Sequence, residues 1–388
     1  MKGIIVFLLV WPALVMPAQQ LLTLDEAVAL ALGQHPEIKA AMAEQEVAEG
    51  LRKTAFSVPN PAVFAESPTG RFYTIGISQS LEFPGVYFSR SAELRASESV
   101  ADANLQVTRQ ALIREVSLAF AEARYTASMR QWLMAQDSIM TTLTAIARRQ
   151  YEAGSIDALS FTRAGLVSGE VHRQWLSMKV KAVAAMHRLT HSFLDSTGVY
   201  AVEVYGDNFR SAATIRMEGR SALESLAERQ SELAASRVTT AKYRMWPGLM
   251  LGYLNQGDRN AGAFYGWQAG ITIPLWWWQY GGQLQAARAG REAAGFRQEA
   301  VAMEVHTVKQ QLLEQYRQAL ADMEYYQQTA LPASRSLADQ SARFFESGQI
   351  DLLEHLGNMR EVREVQERFI AAAYALEVTA AELEYIQN

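Results

Sequence analysis

The sequence predicts a mainly α-helical chain with a β membrane part, built from two copies of one strand-hairpin and long-helix unit. Three observations carry that prediction. The run Tyr151-Glu152-Ala153-Gly154-Ser155-Ile156-Asp157-Ala158-Leu159 recurs as Phe345-Glu346-Ser347-Gly348-Gln349-Ile350-Asp351-Leu352-Leu353, and Glu346 stands 194 residues after Glu152. Gly76 in Ile75-Gly76-Ile77-Ser78 and Gly270 in Ala269-Gly270-Ile271-Thr272 keep the same spacing of 194, so the register holds over two distant segments. Heptad stripes and short period-two stretches then fill the space between these markers in each copy. Chance similarity among alanine-rich helices explains shared Ala and Glu but not two matches at one spacing.

From the N-terminus, Met1-Lys2-Gly3 precedes an apolar run, Ile4 to Met16, followed by Pro17-Ala18-Gln19. A short basic start, a core shorter than the ~20 apolar residues a spanning helix needs, and a small residue at the cut predict a secretory signal peptide over residues 1–18, with an uncleaved anchor as the alternative. Residues 19–200 then form the first repeat, with a hairpin over 60–83, and 201–388 the second, with a hairpin over 247–276, in one elongated domain. Thr23-Leu24-Asp25-Glu26 is a capping box that starts a helix, because the Thr23 hydroxyl and the Glu26 carboxylate can satisfy each other's backbone amides.

Leu118, Tyr125, Trp132, Ile139 and Ile146 recur every seven residues, with Met129 and Leu143 beside them, the stripe of a left-handed coiled coil. The returning helix shows Val171, Trp175, Met178, Ala182, Ala185, Leu189 and Phe193. The second copy answers with Leu313, Tyr316, Leu320 and Met323, then Leu356, Met359, Val362, Val365, Phe369, Leu376 and Leu383. A continuous helix from about Val86 to Gln150 would reach roughly 95 Å, too long for a compact globule. Pro332 lacks an amide donor and predicts an interruption of the second long helix near Leu331.

Between the helices, Tyr73, Ile75, Ile77, Leu81 and Phe83 alternate with Thr74, Gly76, Ser78 and Ser80. The second copy repeats the alternation, with Tyr265, Trp267, Ala269, Ile271, Ile273 and Leu275 against Gly266, Gln268, Gly270 and Thr272. Pro61 to Glu66 and Leu249 to Leu254 supply the hairpin partners, joined through turn-forming residues. A branched and aromatic face opposite a small and polar one suits a barrel wall between lipid and water, so Tyr73, Ile75, Ile77, Trp267, Ile271 and Ile273 are the candidate lipid-facing residues. At the strand-to-helix exits stand Phe83, Tyr87 and Phe88, and in the other copy Trp276, Trp277, Trp278 and Tyr280, a candidate interfacial girdle. The half-buried strands of a soluble α+β domain would give similar short patterns, but would not repeat the same face at one offset. Four strands cannot close a barrel, whose smallest membrane form has about eight, so several chains must contribute.

The composition excludes other classes. The chain has 388 residues, 49% hydrophobic and 20% charged, and 36 Lys+Arg against 41 Asp+Glu leave a formal charge of −5. That balance fits neither a disordered chain nor a basic nucleic-acid binder. With no cysteine, disulfides, thiolate metal sites, thiol nucleophiles and an N-terminal lipid anchor are out. His187 and His191 have a spacing that brings two imidazoles to one helix face, but no further ligands stand nearby, so no metal site and no cofactor is assigned. His35, His172, His306 and His355 are isolated, and neither a phosphate-binding glycine loop nor a hydrolase elbow occurs, so the chain is not read as an enzyme.

The residues as a set resemble the TolC-like outer-membrane factor family, the exit ducts of bacterial tripartite efflux and secretion systems. The resemblance rests on Leu22-Thr23-Leu24-Asp25-Glu26-Ala27 with His35-Pro36-Glu37-Ile38, the tip motifs at Tyr151 and Phe345, Gly270-Ile271-Thr272-Ile273-Pro274-Leu275, and Leu331-Pro332-Ala333. Gln79-Ser80-Leu81-Glu82-Phe83-Pro84-Gly85 is most similar to the CusC/CzcC-type heavy-metal-efflux branch. Two features depart from the family pattern: the lipidated cysteine of many members is absent, and the second copy opens on a short helix with Ser221-Ala222-Leu223 in place of the usual proline signal.

The resemblance implies a homotrimer in the bacterial outer membrane, with a twelve-stranded barrel on an α-helical periplasmic tunnel. It also implies a periplasmic adaptor (a membrane fusion protein), a resistance-nodulation-division pump of the inner membrane, and heavy-metal cations as cargo. A drug or protein export duct is the alternative within the family, and a soluble periplasmic coiled-coil scaffold or adaptor the alternative outside it. Tyr151, Gly154, Phe345 and Gly348 would form the adaptor-facing tips, their glycines taking positive φ. Asp351 and Glu354, with Asp157 at the matching place in the first copy, would ring an entrance gate, although acids at these positions also suit helix capping.

Overall fold

The computed structural model describes residues 20–67, 70, 72–194, 199–206, 209, 219–258 and 262–387. The expected signal peptide lies outside the described residues. In chain order the elements are β1 (Gln20–Leu22), α1 (Leu24–Gln34), α2 (Pro36–Arg52), β2 (Ala62–Glu66), β3 (Phe72–Leu81), α3 (Pro84–Glu152), α4 (Ala158–Ser192), β4 (Tyr200–Val202), α5 (Ala222–Tyr243), β5 (Gly248–Asp258), β6 (Gly262–Thr272), α6 (Trp277–Tyr325), α7 (Leu331–Glu346) and α8 (Leu352–Gln387). A π-turn, Tyr326–Ala330, joins α6 to α7. No helix among the described residues is long and apolar enough to cross a membrane.

The predicted capping box forms, with the Thr23 amide donating to Glu26 Oε2 at 3.0 Å and the Glu26 amide to Thr23 Oγ1 at 3.3 Å. The helix it starts is cut at Pro36, whose ring suits the first position of a new helix. His35 caps that helix by accepting the Glu37 amide on Nδ1 at 3.3 Å. Proline opens α3 as well, and that helix then runs without a break for 69 residues. The interruption expected near Leu331 is the π-turn, in which the Leu331 amide reaches back to the Tyr326 carbonyl just ahead of Pro332.

By contacts the chain divides into two compact units: Met1–Ala31 with Val116–Phe209 and Glu324–Tyr374, and Leu32–Glu115 with Arg210–Met323 and Ala375–Asn388. In the first unit β1 and β4 pair in parallel, Leu21 opposite Ala201, a ladder that sequence patterning does not anticipate. Arg124 lies over the Tyr205 and Phe209 rings at 4.9 and 5.0 Å, and the Tyr205 amide donates to Ser128 Oγ at 2.9 Å. The buried seam of α3 in this unit is Met129, Leu133, Gln136, Met140, Leu143 and Ala147, in alternating steps of four and three. Met129 and Leu143 of the predicted stripe lie in this seam, whereas Leu118, Tyr125, Trp132 and Ile146 are only half-buried and Ile139 is exposed. A helix packed from more than one direction carries more than one apolar seam, and heptad counting alone does not say which one its own chain covers.

The second unit packs α2, α5, α6, the end of α8 and the first part of α3 around Ile38, Leu105, Leu112, Leu233, Val305, Leu376 and Leu383. Each such leucine or isoleucine contributes about 1.5–3 kcal/mol by leaving water. The Arg114 guanidinium makes a two-pronged contact with the Glu382 carboxylate at 2.5 and 2.6 Å and lies 5.3 Å from the Tyr385 ring. The same unit holds one four-stranded antiparallel sheet in the order β2-β3-β5-β6.

Candidate functional site

Two regions carry the chain's distinctive chemistry, the sheet of the second unit and the paired helix tips of the first. In the sheet, Val63, Ile77, Tyr253 and Trp267 stand opposite one another across all four strands, so the period-two patterns of both copies add up to one face. That face continues through Ile75, Leu249, Leu251, Tyr265 and Ile271, and it is bare: Trp267 is 88% exposed and Ile77 44%. Tyr73 shares it at the far end of β3. Ile273 is also exposed but lies one residue past the end of β6, where Pro274 has no amide to continue the ladder.

The opposite face is not uniformly small and polar, as the sequence suggested. Phe64, Met250 and Leu254 stand on it, each directly opposite a glycine: Gly76, Gly270 and Gly266. The large side chain lies across the bare backbone of its neighbour, and a Cβ at Gly76 would come within 2.4 Å of the Phe64 ring. Phe264 stands on the same face opposite Gln256, so pairing with glycine accounts for three of its large residues and not for every one.

At the strand-to-helix exits, Phe83 stacks on Trp246 at 4.9 Å and on Tyr243 at 6.1 Å. Those two partners, at the entry to β5, were missed in the sequence; their signal is an aromatic pair flanking the turn before a strand. The Tyr87 hydroxyl accepts the Glu82 amide at 3.1 Å, and Arg90 ties back to the Glu82 carboxylate. Trp276, Trp277 and Trp278 are exposed, and Trp278 meets each of the other two edge to face.

The helix tips repeat one construction at a spacing of 194. Gly154 and Gly348 have φ of +71° and +74°, as their sequence context implied. At the first tip the Gly154 amide donates to the Tyr151 carbonyl at 2.9 Å and the Ser155 amide to the Gln150 carbonyl at 2.8 Å. At the second, Gly348 donates to Phe345 at 3.1 Å and Gln349 to Phe344 at 2.8 Å, so both helices end in the same left-handed cap. Asp157 Oδ1 then accepts the Ser160 amide at 2.7 Å to start α4, and Asp351 Oδ1 the Glu354 amide at 2.8 Å to start α8. The Ser160 contacts hold the Asp157 carboxyl below its usual value. Within one chain, then, both aspartates are helix caps, and Asp157, Asp351 and Glu354 are all solvent-exposed.

An aromatic stack closes each tip, Tyr151 on Phe161 at 5.1 Å and Phe345 on His355 at 4.7 Å. Leu352 and Leu356 join Met140, Leu143, Ala147, Ala164 and Val171 in one buried cluster, which makes the two tips a single packed body. His187 and His191 are exposed on α4, and the described residues hold no group of three or more potential metal ligands.

The chain thus carries a bare apolar sheet in one unit and paired helices with capped tips in the other. No family profile matches the chain, and no curated protein does. Solved structures match its fold. CusC, in a study of the conformational changes accompanying folding and transmembrane channel formation, superposes with a TM-score of 0.79 at 13% identity over 94% of this chain and 92% of its own. A membrane protein from Pseudomonas aeruginosa gives 0.79 at 14% over 94% and 90%. The outer-membrane protein VceC from Vibrio cholerae gives 0.74 at 15% over 94% and 96%. The chain therefore has the fold of the TolC-like outer-membrane channels, CusC included, as its motifs implied.

Proposed function

We propose that this chain is one protomer of a trimeric outer-membrane exit channel, a passive conduit for cargo handed over by an inner-membrane pump through a periplasmic adaptor. The observation that carries this reading is the sheet. Its exposed apolar face has a use in lipid and none in water, and its two outer strands each lack a neighbour on one side among the described residues. Three copies would supply twelve strands and close the ring. A soluble coiled-coil scaffold would have no use for such a face. The half-buried flank of α3, with Leu118, Trp132 and Ile146, supports the same reading, since a seam shared with another chain is left part-covered in one protomer.

In this reading Tyr73, Ile75, Ile77, Trp267, Ile271 and Ile273 face lipid, and Phe83, Tyr87, Trp276, Trp277 and Trp278 sit at the membrane–water boundary. Tyr151, Gly154, Phe345 and Gly348 meet the adaptor. Asp351, Glu354 and Asp157, brought together by threefold symmetry, line the entrance, where a ring of like charges attracts cations. The CusC/CzcC-like stretch Gln79–Gly85 supports heavy-metal cations as the cargo and a resistance-nodulation-division pump as the partner.

The test is fractionation followed by sizing. The protein is expected in the outer membrane, released only by detergent, and trimeric once extracted, with single-channel current in a planar bilayer. Release with the soluble periplasm in the absence of detergent, or a monomer that keeps a closed barrel, would overturn the reading.

A further inference from the structure

The two tips share a backbone but not an interior. At the spacing of 194, Ala147, Phe161 and Ala164 of the first tip become Ser341, His355 and Asn358 of the second. The substitutes form a buried chain of polar contacts: Ser341 Oγ lies 2.8 Å from His355 Nδ1, and Asn358 Nδ2 donates to Ser341 Oγ at 3.1 Å. Ser341 and His355 are 2% and 4% exposed, with the Phe345 ring stacked parallel on the imidazole. A polar trio has replaced three apolar residues at one tip only, in an otherwise matched pair.

We infer that the α7–α8 tip is an acid-sensitive element, held closed by a neutral His355 that accepts a hydrogen bond from Ser341, while the α3–α4 tip does not respond between pH 7.5 and 5.5. Asn358 donates to one lone pair of the Ser341 oxygen, and the hydroxyl hydrogen is free to donate to Nδ1 of an uncharged ring. A proton on Nδ1 removes the acceptor that the Ser341 hydroxyl used and places a charge where no counter-charge waits. From α7 the groups facing the ring are Ser341 and Phe345, and the adjoining surface of α3 and α4 is the apolar cluster of Met140, Leu143, Ala147, Phe161 and Ala164. The charged residues of the same turns are Arg343 and Glu346 on α7, Asp351 and Glu354 on α8, and Arg148, Arg149, Glu152 and Arg163 on α3 and α4. All are exposed.

Burial holds the His355 imidazole below its ordinary value, a Ser341 contact opposes this in part, and no charged group contributes. The closed tip therefore stays neutral where an opened tip takes up a proton. Its stability is complete above the ordinary imidazole value of 6.5 and is lost progressively as pH falls below it, until the depressed folded value is passed. At pH 5.5 the ceiling on the resulting increase in opening is about tenfold, set by the free imidazole alone. Residues 147–164 contain no histidine, and His355 is the only one in 341–358, so each chain carries its own control. If the chain is the exit channel proposed above, acid would ease movement of one tip of each pair; that consequence rests on the channel reading, whereas the tip's own response does not.

The experiment is amide hydrogen exchange on the full-length, detergent-extracted protein at pH 7.5 and 5.5, with rates corrected to protection factors. Protection around residues 341–358 is expected to fall up to about tenfold on acidification while residues 147–164 hold steady. Transplanting the first tip's interior, Ser341→Ala with His355→Phe and Asn358→Ala, should abolish the difference. Should that variant not assemble, His355→Gln keeps a hydrogen-bonding group that cannot titrate and carries the same expectation. Equal behaviour of the two tips in the wild-type protein, or an undiminished acid response without the imidazole, overturns the inference, and neither outcome bears on whether the protein is a channel.

Discussion

A scan of arginine along β3 tests the membrane reading residue by residue. Ile77 lies at the middle of β3 (Phe72–Leu81) and points to the bare face between Val63 and Tyr253. A strand rises ~3.3 Å per residue and tilts ~40° in a membrane barrel, so each step of two residues along one face moves about 5 Å in depth. With an apolar band ~25 Å tall, Ile77 would sit near the midplane, Ile75 and Gln79 about 5 Å away, and Tyr73 and Leu81 about 10 Å away, close to the interfaces. An arginine costs ~2–4 kcal/mol at the midplane and ~0–1 near the boundary. The insertion equilibrium should therefore drop by about 30-fold to about 1000-fold for Ile77→Arg, less for Ile75→Arg and Gln79→Arg, and little for Tyr73→Arg and Leu81→Arg. Ser78→Arg, on the other face, should be mild. The readout is the quantity of trimer in washed outer membranes. A flat profile along β3, or equal loss at Ser78 and Ile77, would refute the assignment of the faces.

Three further outcomes are expected. A Cβ at Gly154 or Gly348 would meet nothing within 4 Å, so replacement by alanine should cost only the left-handed backbone, ~1–2 kcal/mol, with asparagine milder; limited proteolysis at the tips reads this, and equal damage from Ala and Asn would count against it. Asp157→Ala should unprotect the Ser160 amide, and because its carboxyl is held low, the wild-type cap should be complete above the ordinary value of 3.8 and fade as pH falls below it; unchanged exchange at Ser160 in the variant would show that the cap is idle. Asp351→Asn combined with Glu354→Gln should weaken block of single-channel current by divalent cations without altering trimer formation, and undiminished block would return both residues to capping alone.

Features set by neighbouring residues were legible in the sequence. The capping box at Thr23, the break at Pro332 and the positive φ of Gly154 and Gly348 all follow from local sterics and hydrogen bonding, and all are found. So are both hairpins, because alternation and turn residues specify them locally. What escaped depends on partners far along the chain. Three residues of β1 pair with three of β4, which lie some 180 positions away, and neither segment is long enough to show a period. The buried seam of α3 was legible only at Met129 and Leu143, because choosing among apolar stripes requires knowing which helices cover them. The Ser341–His355–Asn358 contacts went unnoticed for a different reason. Each residue is unremarkable alone, and only superposing the two tips shows that three apolar positions changed together.

The unequal outer strands of the sheet bear on the life of a newly made chain. Along the side that is unoccupied among the described residues, β2 offers five residues of backbone and β6 eleven. Such borders recruit any extended segment that comes near, including those of identical copies in the wrong order. If the chain is a channel protomer, a solitary copy in water is thus in a race between correct closure and runaway stacking, and the outcome depends on concentration and delay rather than on the depth of its energy minimum. Slowing delivery to lipid, or crowding copies before they reach it, should convert a well-folded sequence into precipitate without altering one internal contact.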